Sequence, residues 1–411
     1  MPLSQKELGE RLRDVRVQVQ MTQDEAAKAS GMERSILGKI ESGIRSVSGL
    51  ELDRLARLYR RDVTELLSEG PLYDDPLLVL GRAVSPEFLN SQPVLEVIEL
   101  IRQASRIEHL IGEPMWSKPP GYAFCEPNST READEQGREM ARLERQRLKL
   151  GFGPIKDMAD LVAGQGIWAA AFPLPAEVSG LFVWNQECGP TILVNCDNAK
   201  GRRRFSYAHE YAHALADRHR SPTASTQDNS KDLIERRANV FASEFLVPLS
   251  GIHECLERFR KGHKSRINIS FWDVANNKGE QVEDRVAPGS QRITALEAWY
   301  IASEFKVSYD MAVYRLKHAG AIKEPEIEDL KSQRSFGEFV IRELKFFDVE
   351  EDQNVESQPH LKMQVARLLI EAYRRGAIFT SRFREMCDLA QLPFDELYTV
   401  AKHAKSSLEG D

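Results

Sequence analysis

Apolar positions in the first seventy residues recur at helical spacing in short bursts. Leu8, Leu12 and Val15 form one stripe. Thr22-Gln23-Asp24-Glu25 opens the next burst with a capping box, and Ser30-Gly31-Met32 turns the chain into Glu33–Ser42, which stops at Gly43. Leu50, Leu55, Ala56, Leu58 and Val63 supply packing helices, so residues 1–70 are expected to be an all-α bundle with helix-turn-helix spacing. Gly70-Pro71 and Asp74-Asp75-Pro76 punctuate the chain after it. From Gln92 onward Val94, Val97, Ile98, Ile101, Ala104 and Ile111 share one helical face, which serves either as a dimer seam or as ordinary packing. Residues 114–130, with Pro119-Pro120 and Pro127-Asn128, read as an exposed loop open to nicking.

A charged helix is expected over Glu132–Leu150, ending at Gly151 with its charge run on a solvated face, and a second helix over Pro154–Ala163. The pattern then changes period. Gly166–Phe172, Gly180–Trp184 and Thr191–Asn195 alternate or run apolar, which predicts a small mixed sheet with an edge able to pair with an extended chain. Helical spacing returns at 204–215 and 234–247. His263–Thr294 is polar and reads as a flexible insertion able to act as a flap, with His253 and His263 as surface residues. Residues 295–318 read as helix, turn, helix. Phe336–Phe347, Leu361–Arg375 and Thr380–Ala404 add three helical patterns, the last with a helix-turn-helix spacing that plain helical hairpins share.

Composition narrows the class. The 411 residues are 42% hydrophobic and 29% charged with a formal net charge of -7, which is globular and gives no overall pull toward nucleic acid or anionic membrane. Any DNA contact must then be a local patch. No signal-peptide core or membrane span is legible, so the expected location is the cytoplasm and no membrane partner is expected. The five cysteines, Cys125, Cys188, Cys196, Cys255 and Cys387, lack C-x-x-C spacing, and most read as buried thiols.

The chemistry concentrates at His209-Glu210-Tyr211-Ala212-His213, an H-E-x-x-H pattern on an uninterrupted helical run. His209 and His213 at i and i+4 point off one face and can grip one ion, for which Zn²⁺ is the default. Glu210 is placed to act as general base on water. Phe205, Tyr207, Ala208, Tyr211, Ala212 and Leu215 make the helix apolar nearly all round, and buried imidazoles need a partner. A third ligand is offered by Glu235 on the helical run 234–247, with Asn239 one turn on to orient a ligand; Asp217, His219, Asp232 and Glu244 stand as alternatives. Arg202-Arg203-Arg204, just before the motif, reads as a solvated cap with ion pairs or as a phosphate binder. Tyr300 and Tyr309 read as core residues, with polarisation of a scissile carbonyl as the other role open to them.

The strings R-F-S-Y-A-H-E-Y-A-H-A-L and E-R-R-A-N-V-F-A-S-E-F-L-V-P resemble the ImmA/IrrE family of bacterial zinc metallopeptidases over roughly residues 140–320. The resemblance implies an α+β zincin-like domain, His209, His213 and Glu235 as zinc ligands, and Glu210 as catalytic base. It also implies cleavage of a repressor-type protein in stress response, mobile-element control or phage defence. The segment T-Q-D-E-A-A-K-A-S-G-M-E-R-S-I-L-G-K-I-E-S-G resembles the Xre/Cro-type DNA-binding domain. That likeness implies a double-stranded DNA operator met by Gln23, Arg34, Ser35, Ile36 and Lys39, and a homodimer. Glu33 departs from the pattern, standing where a small hydroxyl cap is usual.

The expected fold is thus mainly α with a small mixed β-sheet, an all-α helix-turn-helix domain in front and a helical region behind. The boundaries read as 1–70 for the DNA-binding domain, 71–139 for a helical linker, 140–325 for the peptidase domain and 326–411 for the C-terminal helices. The resulting regulator binds DNA and cuts a repressor in trans or its own linker. Two rivals are a transcription factor whose zinc domain senses without cutting, and an antitoxin-like regulator.

Overall fold

The computed structural model describes residues 4–19, 21–59, 61, 63–67, 92–112, 119–185, 188–218, 225–226, 232–261, 266–273, 278–285, 291–343 and 359–406. They fall into two compact units, Met1–Arg102 with Asn185–Cys188, and Gln103–Trp184 with Gly189–Asp411. The expected linker punctuation at 70–76, and His219 and His263, lie outside the described residues. No described helix is long and apolar enough to cross a membrane.

The first unit opens with α1 (Gln5–Gln18), α2 (Gln23–Ser30), α3 (Arg34–Glu41), α4 (Gly49–Leu58) and α5 (Val63–Leu67). Capping boxes start α1, α2 and α4 through Ser4/Glu7, Thr22/Glu25 and Ser48/Glu51, which satisfies backbone N–H groups that a helix start leaves open. Gly31, at φ 70, takes the left-handed conformation that turns α2 into α3. Glu33 makes no side-chain cap bond, as its length leads one to expect. Leu12, Val15, Ala26, Leu37, Ile40 and Leu55 fill the core between these helices. Inside it Arg16 grips Glu41 at 2.6 and 3.0 Å, and Gln23 donates to the same carboxylate at 2.7 Å. One buried acid therefore ties α1, α2 and α3 together.

Next comes α6 (Gln92–Ile111), where Val97, Ile98, Ile101 and Ala104 are buried within the single chain. Its apolar stripe is packing.

The second unit continues through α7 (Thr130–Arg147), α8 (Met158–Ala163), β1 (Trp168–Phe172), β2 (Val178–Asn185), β3 (Gly189–Asn195), α9 (Lys200–Ala216), β4 (Ser225–Thr226), α10 (Leu233–Leu246) and α11 (Leu249–Arg258). It then adds β5 (Arg266–Asp273), β6 (Lys278–Arg285), α12 (Ala295–Phe305), α13 (Tyr309–His318), α14 (Glu324–Ser332), α15 (Arg334–Glu343), α16 (Pro359–Arg374), α17 (Thr380–Leu389) and α18 (Phe394–Ser406). The sheet has the order β1-β3-β2-β4, with β1 and β3 parallel and β2 and β4 antiparallel. Tyr211, Phe241, Phe245, Ile301 and Phe305 belong to one continuous core under it. Ile327 and Leu330 of α14 join that same core, and Tyr309 donates to the Leu330 carbonyl.

One reading of the sequence changes here, and three others gain detail. The run 132–150 is not simply a solvated helix: Glu144 and Arg145 are buried, Glu144 accepting from Tyr122 and Tyr211, and Arg145 donating to the carbonyls of Phe245, Gly151 and Gly153. Burial pushes the Arg145 guanidinium down to about 10. Gly137 on the same face lets α7 meet α10, since a Cβ there would lie 2.7 Å from the Arg237 carbonyl oxygen. Within the stretch read as a flexible insertion, Arg266–Asp273 and Lys278–Arg285 pair as antiparallel strands. At the sheet's margins β4 pairs with β2 at Val178 and Gly180, and the Gln364 amide of α16 bonds Ala169 N of β1 and the Ile167 carbonyl just before that strand. Finally, 380–404 forms the two helices α17 and α18 with Pro393 between them, in keeping with its helix-turn-helix spacing.

Candidate metal centre

Helix α9 is buried from Ser206 to Leu215, because apolar side chains surround the motif and pack on the sheet and on α10. That placement carries His209, Glu210 and His213 into the interior, at 5%, 1% and 9% exposure. Glu235, on the first turn of α10, is brought to the same point from 26 residues along the chain. His209 Nε2 lies 3.2 Å from His213 Nε2 and 3.0 Å from Glu235 Oε2, while His213 Nε2 lies 3.4 Å from Glu235 Oε1.

The outer nitrogens explain the orientation. His209 Nδ1 faces the Asn239 side-chain oxygen at 3.0 Å, and His213 Nδ1 faces Asp217 Oδ2 at 3.0 Å. Both acceptors call for a proton on Nδ1, which leaves both Nε2 lone pairs turned toward one point shared with a carboxylate. Three donors so disposed repel one another unless a cation or a proton lies between them. Ligands bound tetrahedrally to zinc at about 2.0–2.1 Å stand about 3.3–3.4 Å apart, so the observed separations fit one such ion. The three residues form the group suited to hold a metal among the described residues.

The electrostatics of the ion-free group say the same. Burial works against a charged His213, yet its bonds to Asp217 and Glu235 and the nearby Glu210 bring it up to about 10. Burial likewise works against a charged Glu235 and Asp217, but the imidazoles, with Arg237 in the case of Asp217, hold both carboxyls below the usual range. The site is a place of concentrated negative charge that a cation neutralises.

Glu210 shares this cavity. Its carboxyl rests against Gly180 of β2, where a Cβ would lie 2.9 Å from Glu210 Oε1 and 3.1 Å from its Cγ. Glycine is needed there for close approach. The cavity, of about 700 Å³, is walled further by Ser179 of β2, Arg202 and Phe205 of α9, and Asp310, Tyr314 and His318 of α13.

Comparison with known families now bears on the site. Residues 163–317 match the Peptidase_M78 model, described as an IrrE N-terminal-like domain, and residues 7–68 match HTH_31, a helix-turn-helix domain. The chain joins a helix-turn-helix domain to an IrrE-like domain. No curated protein matches it.

Within the IrrE-like domain the alternatives for the third ligand fall elsewhere. Asp217 stands behind His213, itself held by Arg237; Asp232 caps α10; Glu244 is gripped at both oxygens by Arg315. Neither Tyr300 nor Tyr309 lines the cavity; Tyr314 does. The sequence signal for Asp217 as an orienting group is its i+4 spacing from His213, a spacing that does not by itself distinguish an orienting group from a ligand. Gly180 carried no signal, because nothing local ties it to Glu210.

In the helix-turn-helix domain Arg34, Ser35 and Lys39 are exposed on α3. Arg34 pairs with Asp24 at 3.3 Å and Ser35 bonds Glu33. Ile36 packs partly into the core and Gln23 is engaged by Glu41, so these two are held by the bundle itself.

Proposed function

We propose that the IrrE-like domain is a zinc-dependent endopeptidase and that the helix-turn-helix domain directs the chain to double-stranded DNA, making it a cytoplasmic regulator that removes a repressor-type protein. The observation that supports this reading is the meeting of His209, His213 and Glu235, of which His209 and Glu235 line, with Glu210, one cavity large enough for substrate side chains. When bound, Zn²⁺ supplies Lewis-acid polarisation of the scissile carbonyl and lowers the pKa of water toward about 7. Asn239 and Asp217 hold the imidazole Nδ1–H groups so that both Nε2 atoms serve as donors. Glu210 accepts the proton of the attacking water on its carboxylate and passes it to the leaving amide nitrogen. Gly180 leaves the Glu210 carboxyl the space to do so. Arg34, Ser35 and Lys39 are the side chains that α3 has exposed for bases and phosphates.

The substrate is either a separate repressor or the chain's own 71–139 segment, cleavage of which frees the DNA-binding domain. Metal analysis of the wild type, Glu235→Ala and Glu210→Gln tests the centre first: about one zinc per chain, lost in Glu235→Ala and kept in Glu210→Gln, is expected. No zinc after purification without chelators refutes it. Zinc retained with no cleavage of any repressor encoded nearby turns the reading toward a non-cleaving sensor. Loss of the N-terminal domain from Glu210→Gln in stimulated cells removes self-cleavage.

A further inference from the structure

The three arginines ahead of the H-E-x-x-H motif do not share one face of α9. Arg203 and Arg204 turn to a separate cavity on the far side of the helix, while Arg202 lines the metal cavity. From Arg202 to His209 the helix advances two turns, which sets both on one face about 10 Å apart along the axis. Arg202 is exposed, so it marks the solvent end of the wall that carries His209.

Most other charges of that cavity are balanced within the protein. Arg315 donates to both oxygens of Glu244 at 2.8 and 2.7 Å, Asp310 pairs with Arg334 at 3.3 Å, and Glu210 and Glu235 belong to the metal centre. Burial, then Arg315, pushes His318 down toward the neutral imidazole. Arg202 differs. Its Nη2 donates to the Ser179 hydroxyl at 2.8 Å, and no carboxylate pairs with it among the described residues. A neutral hydroxyl fixes a guanidinium in place without cancelling its charge.

Ser179 owes its position to an irregularity in β2. Val178 pairs with Thr226 and Gly180 with Ser225, so two steps of β2 pass one step of β4. In a regular strand adjacent side chains point to opposite faces. Here Ser179 meets Arg202 while a Cβ on Gly180 would meet Glu210, so two neighbouring positions both turn to α9. One bulge thus sets the arginine and the proposed base along a single cleft.

We infer that Arg202 selects substrates carrying an acidic side chain, Asp or Glu, about three residues from the bond that is cut. An extended chain advances about 3.3 Å per residue, so three residues span the two helical turns between Arg202 and the first metal ligand. A planar guanidinium takes a carboxylate through two parallel N–H···O bonds, a geometry that a lysine cannot reproduce. The inference rests on the reading of this cavity as the substrate cleft of a peptidase.

The test uses the full-length, zinc-loaded protein and a synthetic random octapeptide library, acetylated and amidated so that side chains hold the only carboxylates. Immobilised Glu210→Gln captures peptides, wild type cleaves them, and mass spectrometry reads both sets. Asp or Glu enriched at one fixed position is expected in each, two to four residues from the cut in the cleaved set. In the Glu210→Gln background, Arg202→Gln should weaken a captured acidic peptide by about tenfold, the scale of a hydrogen bond to a charged group. Arg202→Lys should restore part of that loss, and Arg202→Glu should turn the preference to Lys and Arg. Arg142→Gln, an exposed cation on α7, should leave the preference unchanged. Circular dichroism verifies the fold of each variant. Acidic capture without cleavage keeps the recognition and removes the peptidase reading; cleavage with no acidic preference keeps that reading and overturns the inference. An acidic preference undiminished in Arg202→Gln assigns the carboxylate to the metal and also overturns it. So does capture of peptides with a free C-terminal carboxylate and no Asp or Glu in place of amidated acidic ones, since the arginine then holds a chain end. Neither capture nor cleavage overturns both.

Discussion

Removing Asp217 separates the orienting role of a carboxylate from ligation itself. Asp217 Oδ2 holds His213 Nδ1 at 3.0 Å and its other oxygen receives Arg237, with little of either side chain exposed. In Asp217→Ala the imidazole loses the acceptor that fixes its tautomer and that makes Nε2 more basic. Loss of such a partner costs about 10–100-fold in metal affinity, or about 1.4–2.8 kcal/mol at 1.4 kcal/mol per tenfold. Arg237, at 2% exposure, keeps Gln136 at 3.1 Å as its remaining side-chain partner among the described residues. Breaking a buried ion pair costs about 3–5 kcal/mol, so the apo fold should weaken as well. Asp217→Asn keeps an oxygen for Nδ1–H but drops the charge, and its affinity loss should be less than about tenfold. Zinc competition against a chromophoric chelator at fixed pH measures the affinity, and thermal melting of the same samples reports the fold. In a His213→Ala background, Asp217→Ala should lower affinity no further, because its effect passes through that ring. A folded Asp217→Ala protein that binds zinc as tightly as wild type refutes the reasoning. So does an undiminished loss in the His213→Ala background.

Gly180→Ala drives a Cβ into the Glu210 carboxyl; zinc content should hold while the cleavage rate on the wild-type substrate falls about 10–100-fold, as a misplaced catalytic group would cause. Glu41→Ala strands Arg16 in the N-terminal core and should destabilise that unit by about 3–5 kcal/mol in urea titrations of the full chain. Lys39→Ala should reduce the slope of log affinity against log salt for duplex DNA by about 0.9, measured by fluorescence anisotropy. Burial pushes the Cys255 and Cys387 thiols up to about 11. Their folded values lie above the unfolded ones, so the stability they contribute is present below about pH 8.5 and lost as pH rises toward 11. Alkylation at pH 8 should accordingly label exposed Cys125 before either, as read by mass spectrometry.

Local rules wrote much of this protein into its sequence. The capping boxes at Thr22 and the turn at Gly31 are decided within one helical turn, and the i, i+4 pair His209 and His213 is decided by helix geometry alone. The three strands of the sheet core are legible because short stretches there alternate or run apolar at strand length. Tertiary structure decided which of several acids meets those imidazoles: Glu235 arrives from a separate helix, while Asp217, nearer in sequence, turns to Nδ1. It decided that Gly180 makes room for Glu210, that Gln364 covers an edge strand 195 residues away, and that the arginine run 202–204 divides between two cavities on opposite sides of α9. Periodicity sets which face a residue occupies on its own element. What that face meets depends on how distant elements pack, and no local pattern encodes it.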